Sequence, residues 1–196
     1  MYHVQGSRGI TIEARRPGAL LLVTLAAVLV VDQVVKIVIR EWLHPSQSFP
    51  VVEDFFHLTH VRNTGAAFGL MPGQTTLFVV TSVLVLAAIA LYWWRVRPTS
   101  MVLSLSLALV SAGAIGNLID RVLFGRVTDF FDFRVFPVFN VADVAIVTGA
   151  IGLFAWALLA PVEQHEETRI PASSVTPVPD EAGNTDAGQQ RQDVSR

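Results

Sequence analysis

Two aspartates stand out because each lies beside apolar and aromatic residues. Asp129 is in the stretch "VTDFFDF" and Asp143 is in "FNVADVAI". Ionisable residues in such an apolar sequence indicate a functional site, because carrying them into a bilayer is costly. Two carboxyl groups in contact cannot both ionise cheaply, so one keeps a proton while the other stays charged. Such a pair can take a proton from water and give one to a leaving amine, which is the acid–base chemistry of aspartic peptidases.

Each aspartate also has a structural alternative. Asp143 falls in the first turn of a predicted helix with Asn140 as its N-cap, and capping alone could explain one carboxylate there. Capping does not explain Asp129, which lies in the preceding loop. If one helix ends and the next begins at the same membrane face, the loop can bring both carboxylates together. Asp132 is either a competitor for one of the two roles or a solvated loop charge.

Further polar residues recur at helical spacing. Asp32 and Lys36 share a helix face and are expected to pair, either as an internal salt bridge or in support of a site. In "GNLIDR", the spacing places Asn117, Asp120 and Arg121 on one face. Asn117 could instead join two helices by a hydrogen bond, and Arg121 could extend toward the interface. Three polar groups on one face favour a site over these alternatives.

The sequence offers little support for other chemistry. It contains no cysteine, which excludes disulfides, thiolate metal sites and cysteine nucleophiles. His57 and His60 form a close histidine pair, but on a strand they would point to opposite faces and could not bind one metal together. We therefore expect no metal and no cofactor. The net charge of −2, without a basic stripe, gives no indication of nucleic-acid binding.

The composition predicts the elements that must position these residues. The chain is 52% hydrophobic and only 15% charged, whereas soluble domains are nearer a quarter charged. Four blocks carry almost no charge, show no polar face, and are long enough to cross most of a ~30 Å hydrocarbon core. The predicted fold is an all-α membrane protein, a four-transmembrane-helix bundle with a small extracytoplasmic β-sheet. The spans are expected at about 18–39, 73–94, 99–120 and 140–161.

Arginines give the expected orientation. By the positive-inside rule, the residues before the first span and the short link between the second and third spans are cytoplasmic, because they carry Arg8, Arg15, Arg16, Arg95 and Arg97. Both termini are then cytoplasmic, as an extension over 1–17 and a disordered tail over 162–196. Further arginines would lie outside, and their excess requires a separate reason, such as a functional site: Arg40, Arg62, Arg121, Arg126 and Arg134.

The two outside segments, 40–72 and 121–139, differ in character. In the first, "FFHLTHVRN" alternates as a strand does and "NTGAAFG" supplies a sharp turn, which predicts a small sheet on the outer membrane surface. The second mixes phenylalanines with charges. This mixture suits the membrane interface, with the rings toward lipid and the charges toward water.

Five motifs in order resemble those of the lipoprotein signal peptidases, also called signal peptidase II. The resemblance covers about 18–161 and rests on "DQVVK", "VRNTGAAFG", "GNLIDR", "VTDFFDF" and "FNVADVAI". It implies a multi-pass aspartyl endopeptidase of the bacterial plasma membrane, acting at the outer leaflet. Such an enzyme cuts the signal peptide from a prolipoprotein on the amino side of a diacylglyceryl-modified cysteine. The implied partners are lipid-modified prolipoproteins and membrane lipids, and nothing requires a dimer.

The resemblance assigns roles to residues of this chain. The catalytic pair would be Asp129 and Asp143. The residues that bind substrate or support the site would be Asn63, Asn117, Asp120, Arg121 and Asn140, with Asp32 and Lys36 nearby. Two rival functions remain: a transporter that uses the aspartates as a proton relay, and a non-catalytic scaffold. No internal repeat of the kind found in many transporters is visible.

Overall fold

The computed structural model describes residues 17–65 and 71–159. Three expectations concern residues outside these ranges: the cytoplasmic N-terminal extension, the disordered C-terminal tail, and the part of the predicted turn that falls in 66–70.

Four helices form the main body, and they confirm the predicted fold class. They are α1 (Pro17–Trp42), α2 (Thr75–Val96), α3 (Met101–Phe124) and α4 (Val141–Leu159). Each helix is long and apolar enough to cross a membrane. Helices α1 and α3 continue past their predicted ends, so Arg40 and Arg121 are helical residues and do not lie in loops. Composition placed the ends too early because charged residues lie near the C-terminus of each helix: Arg40 and Glu41 in α1, and Asp120 and Arg121 in α3.

A three-stranded antiparallel sheet lies at one end of the bundle, in the order β1 (Ser48–Val52), β2 (Phe56–Asn63) and β3 (Val127–Asp132). Strand β2 is the predicted strand. Strand β3 corrects the expectation that its residues form an interfacial loop. Five of its six residues are buried, so the strand lacks the alternation of polar and apolar residues that reveals a strand with one exposed face.

Helix α3 is the centre of the bundle and packs against the other three helices. Lipid tails are as apolar as a helix surface, so membrane helices associate mainly where small residues allow close packing. Helix α3 buries many small residues, including Ser104, Ala108, Ala112 and Gly113. At Gly113 the approach is so close that a Cβ atom would overlap the carbonyl oxygen of Ala142 in α4. This contact sets the distance between the two helices that carry Asn117 and Asp143.

Gly113→Ala should therefore destabilise the bundle, by about 1–3 kcal/mol, because the added methyl group must push α4 away. Gly18→Ala is the matched control, since a Cβ there would lie 3.9 Å from Trp93 in ordinary contact. The measurement is the unfolding temperature of each purified variant in detergent. Equal unfolding temperatures for the two variants would contradict the close packing of α3 against α4.

Candidate active site

Asp129 is positioned by strand β3 and is almost completely buried, with 2% of its surface exposed. Its Oδ2 accepts a hydrogen bond from Asn63 Nδ2 at 2.9 Å, and its Oδ1 accepts one from Asn140 Nδ2 at 2.6 Å. Burial, together with the nearby charge of Asp143, raises the pKa of Asp129 to about 6, although the two amide hydrogen bonds oppose this rise. Asp129 is thus a carboxyl group that can hold or release a proton near physiological pH.

Asp143 lies in the first turn of α4 and forms a reciprocal cap with Asn140. Asn140 Oδ1 accepts from the Asp143 backbone N–H at 2.9 Å, and Asp143 Oδ2 accepts from the Asn140 backbone N–H at 3.2 Å. This is the geometry of a capping box. The structural alternative of capping is therefore present, and it coexists with exposure to the cleft. The second oxygen, Oδ1, accepts from Asn117 Nδ2 at 2.8 Å.

The two carboxylates line one cleft with a volume of about 460 Å³. Among the described residues of its lining they are the only acidic side chains. The polar end of the cleft also includes Asn63, Asn117 and Arg121, and its walls are apolar side chains such as Phe136, Phe139, Val144, Ile146 and Val147. Within 17–65 and 71–159, no three histidine or acidic side chains are grouped so that they could hold a metal ion. The cleft therefore combines two acid–base groups with an apolar surface.

A buried lysine determines how the surrounding amides are oriented. Lys36 is fully buried, and its Nζ lies 3.0 Å from Asp32 Oδ2, 3.5 Å from Asp120 Oδ2 and 2.9 Å from Asn117 Oδ1. An ammonium group has three donors and no acceptor. Asn117 must therefore turn its oxygen toward Lys36, which leaves its amide N–H groups to face Asp143.

The orientation of Asn117 in turn fixes that of Asn140. The same Asn117 oxygen accepts from Asn140 Nδ2 at 3.2 Å. Asn140 consequently directs its N–H groups toward Asn117 and Asp129, and its oxygen toward the backbone of Asp143. A continuous chain of hydrogen bonds thus runs from Lys36 through two asparagines to both carboxylates.

Asp32 and Asp120 support the site from behind and do not line the cleft. Asp32 Oδ1 accepts from the Ala142 N–H at 2.9 Å, which ties α1 to the first turn of α4. Asp120 Oδ2 accepts from the Thr128 N–H at 2.9 Å, which ties α3 to β3 beside Asp129. The predicted pairing of Asp32 with Lys36 is present, at 3.0 Å, and a role of the pair in supporting the site stays a prediction.

The three polar residues of "GNLIDR" are only partly on one face. Asn117 and Arg121 line the cleft, whereas Asp120 faces Lys36, Arg40 and Thr128. Consecutive residues lie about 100° apart around a helix, so Asp120 and Arg121 cannot share a direction. Arg121 Nη2 donates to the Gly65 carbonyl at 3.4 Å, and its guanidinium lies 5.0 Å from the centre of the Phe78 ring.

Asp132 is neither in the cleft nor in a solvated loop. It is a buried residue of β3 that accepts from Thr59 Oγ1 at 2.7 Å and pairs with Arg134 at 3.6 Å. Burial alone would raise the pKa of Asp132, but the hydrogen bonds from Thr59 and the Arg134 backbone, with nearby positive charge, lower it overall. A carboxylate held in its charged form by local partners is poorly suited to exchange protons with a substrate.

Sequence reasoning missed the structural role of Arg40. Its Nη1 lies 3.3 Å from Asp120 Oδ1 and 3.2 Å from Thr128 Oγ1. Arg40 follows Lys36 at the same interval that separates Lys36 from Asp32, so all three share one helix face. That periodicity was visible in the sequence, but Arg40 was assigned to a loop because the first helix was predicted to end too early.

The fold and the site define an integral membrane enzyme with paired acidic groups at one end of its helical bundle. Two solved structures, each described as a bacterial membrane enzyme determined by the in meso method, share the fold. One, at 2.3 Å resolution, has a TM-score of 0.69 and 32% identity, over 78% of this chain and 94% of its own. The other, at 1.9 Å resolution, has a TM-score of 0.66 and 34% identity, over 72% of this chain and 94% of its own.

The chain belongs to the signal peptidase II family, because the family model for signal peptidase (SPase) II matches residues 24–159. Two similar relatives are named lipoprotein signal peptidase. The protein of Pelotomaculum thermopropionicum is 48% identical over 139 residues, which is 71% of this chain and 91% of the relative. The protein of Moorella thermoacetica is 50% identical over 141 residues, which is 71% of this chain and 93% of the relative.

Lys36→Met should destabilise the protein strongly, by about 3–5 kcal/mol, because it leaves buried carboxylates without their counter-charge. The double variant Asp32→Asn/Lys36→Met should recover part of this loss, since it removes one of those uncompensated charges. Unfolding temperatures in detergent provide the measurement. A double variant no more stable than Lys36→Met would show that the charge balance around Lys36 does not matter.

The pKa of Asp129 predicts how stability depends on pH. The folded protein holds a proton on Asp129 up to a pH of about 6, whereas an unfolded chain releases it near its ordinary value of about 4. The folded state therefore loses stability as the pH rises through this window. Asp129→Asn removes this titration. The unfolding temperature of Asp129→Asn should therefore rise relative to that of the wild type as the pH increases from 4 to neutral. A difference that stays constant across this range would contradict the raised pKa.

Proposed function

We propose that the chain removes the signal peptides of lipoproteins by an aspartate-dyad mechanism, cutting on the amino side of the lipid-modified cysteine. The observation that carries this proposal is the shared cleft: Asp129 and Asp143 line it together, and Asn140 hydrogen bonds to both. Membership of the signal peptidase II family and the names of its relatives support the substrate class.

In the proposed reaction, one carboxyl group of the pair is protonated and the other is charged. The charged group takes a proton from water as the water oxygen bonds to the scissile carbonyl carbon. The carbon–nitrogen bond then breaks, and the protonated carboxyl group supplies the proton that the leaving amine requires. The raised pKa of Asp129, due to burial and to the charge of Asp143, supports a pair that shares one proton.

The walls of the cleft support a substrate that approaches from the bilayer. Val144 and Val147 line the cleft on α4 and are also about half exposed, on a helix surface that we expect to face lipid. Further along the same helix, Ile151 and Phe154 are exposed as well. An apolar path thus leads from the lipid to the carboxylates, as a signal peptide or an acyl chain attached to the cysteine would require.

We propose further that the active site lies at the outer leaflet of the bacterial plasma membrane, that both termini are cytoplasmic, and that the chain is a monomer. Arg95 lies in the last turn of α2 and Arg97 is its C-cap, at the end of the helix opposite the sheet and the cleft, which supports this orientation by the positive-inside rule. The carboxylates lie at helix and strand ends, so the scissile bond would be near the membrane surface, where water is available.

Asp129→Asn and Asp143→Asn should each reduce cleavage about a hundredfold to ten-thousandfold, because each keeps the side-chain shape but loses proton transfer. The assay follows cleavage of a lipid-modified lipobox peptide by the reconstituted enzyme. Asp132→Asn is the matched control, since it changes an aspartate of the same strand outside the cleft, and it should retain most of the activity.

Substantial activity in Asp129→Asn or Asp143→Asn would remove that residue from the catalytic pair. No cleavage of the lipid-modified peptide by the wild type, with proton or solute flux across the membrane instead, would favour a transporter.

Arg121→Gln should raise KM about tenfold, equivalent to roughly 1.4 kcal/mol, and change kcat little. Arg121 lines the cleft beside both carboxylates and can hold a carbonyl oxygen of the substrate or of its lipid. Arg95→Gln, at the opposite end of the bundle, is the control. An unchanged KM in Arg121→Gln would exclude this binding role.

A further inference from the structure

A second cavity of about 240 Å³ lies at the same end of the bundle and is rich in positive charge. We call it the arginine pocket, and its lining consists of Arg40, Leu43, His44, Pro45, His60, Arg62, Phe124, Arg126 and Thr128. Three of these residues, Arg40, Arg62 and Arg126, belong to the excess of arginines that the sequence predicts outside the membrane and does not explain.

The two faces of the sheet separate the arginine pocket from the acidic cleft. Arg62 and Thr128 are cross-strand neighbours, as are Val61 and Asp129. Successive residues of a strand point to opposite faces. The face that carries Arg62 and Thr128 therefore borders the arginine pocket, and the face that carries Asp129 borders the cleft. The positively charged site and the proposed catalytic site thus lie on opposite faces of the same sheet.

The charge in the arginine pocket is only partly balanced. Its lining has three arginines and two histidines but no acidic residue. Arg40 pairs with Asp120, and its described hydrogen bonds all use Nη1. Arg62 and Arg126 form no ion pair with any carboxylate in the described parts of the chain. A planar guanidinium group presents several N–H donors, so guanidinium groups gathered in a cavity with no acidic lining residue suit the several acceptor oxygens of a phosphate.

The surroundings place the arginine pocket at the level of lipid head groups. Trp42, at the end of α1, contacts Phe49 with ring centres 5.0 Å apart, and tryptophan is enriched at membrane interfaces. The Arg40 guanidinium lies 4.7 Å from the centre of the Phe124 ring. Next to Phe124, Val122 and Leu123 are each about two-thirds exposed. A phosphate bound to the arginines would thus have apolar helix surface beside it for acyl chains.

We propose that the arginine pocket binds the phosphate of an anionic phospholipid from the adjacent leaflet. Arg62 and Arg126 hold the phosphate, and the acyl chains lie along the exposed end of α3. Arg40 connects this site to Asp120 and Thr128, and Thr128 immediately precedes Asp129. A bound lipid therefore braces the strand that positions Asp129 from the side opposite the cleft.

Native mass spectrometry of the full-length protein in detergent tests this proposal by titration with phosphatidylglycerol, with phosphatidylcholine as the zwitterionic reference. We expect one phosphatidylglycerol bound tightly and phosphatidylcholine bound weakly. Loss of one arginine near an anionic head group weakens binding about fivefold. The Arg62→Gln/Arg126→Gln double variant should therefore raise the Kd about 25-fold, and each single variant about fivefold.

Arg134→Gln is the control, because it removes a positive charge from the same end of the protein, outside the arginine pocket, and should leave the Kd unchanged. An equal loss in Arg134→Gln would overturn the proposal in favour of general electrostatic attraction. Competition by inorganic phosphate at the lipid's own concentration would overturn the choice of a lipid. Should the double variant fail to fold, the single variants decide: an unchanged Kd in both would exclude the site.

Discussion

The site depends on one interaction, the placement of the Lys36 ammonium between two carboxylates and one amide oxygen. Its three donors meet Asp32, Asp120 and Asn117, and the whole group is buried. A buried charge is tolerated only when it is paired and fully hydrogen bonded. Because an ammonium group cannot accept a hydrogen bond, the oxygen of Asn117 must face it. The same oxygen accepts a hydrogen bond from Asn140 and thereby fixes the orientation of that side chain. The N–H groups of both amides are thereby aimed at Asp129 and Asp143.

The same arrangement explains why a membrane protein retains so many ionisable residues. Asp32 ties α1 to the first turn of α4, Asp120 ties α3 to β3, and Lys36 and Arg40 compensate their charge. Within 17–65 and 71–159, no lysine or arginine forms an ion pair with Asp129, and burial together with the charge of Asp143 raises its pKa to about 6. The supporting carboxylates pair directly with cations, whereas the proposed catalytic pair accepts hydrogen bonds from neutral amides and has Arg121 beside it in the cleft. This difference gives the two sets of aspartates separate roles.

Much of the fold could be predicted because its signals are local. Long uncharged blocks predict membrane helices, the interval between Asp32 and Lys36 predicts a pair, and Asn140 before an apolar run predicts a cap. Strand β3 could not be predicted, because a strand covered on both faces shows no alternation. The role of Arg40 was hidden by the early helix end. The orientation of Asn117 could not be read from the sequence, since it depends on contacts between residues far apart in the chain.

Neutron diffraction of the enzyme at pH 5, below the pKa of about 6 for Asp129, locates the exchanged deuterons and so tests this arrangement of amides and carboxylates directly. We expect the amide deuterons of Asn117 and Asn140 to point to the carboxylates, and Asp129 and Asp143 to bind one water molecule between them and share one deuteron. Separate water molecules on the two carboxylates, or the Asn117 oxygen turned away from Lys36, would contradict it.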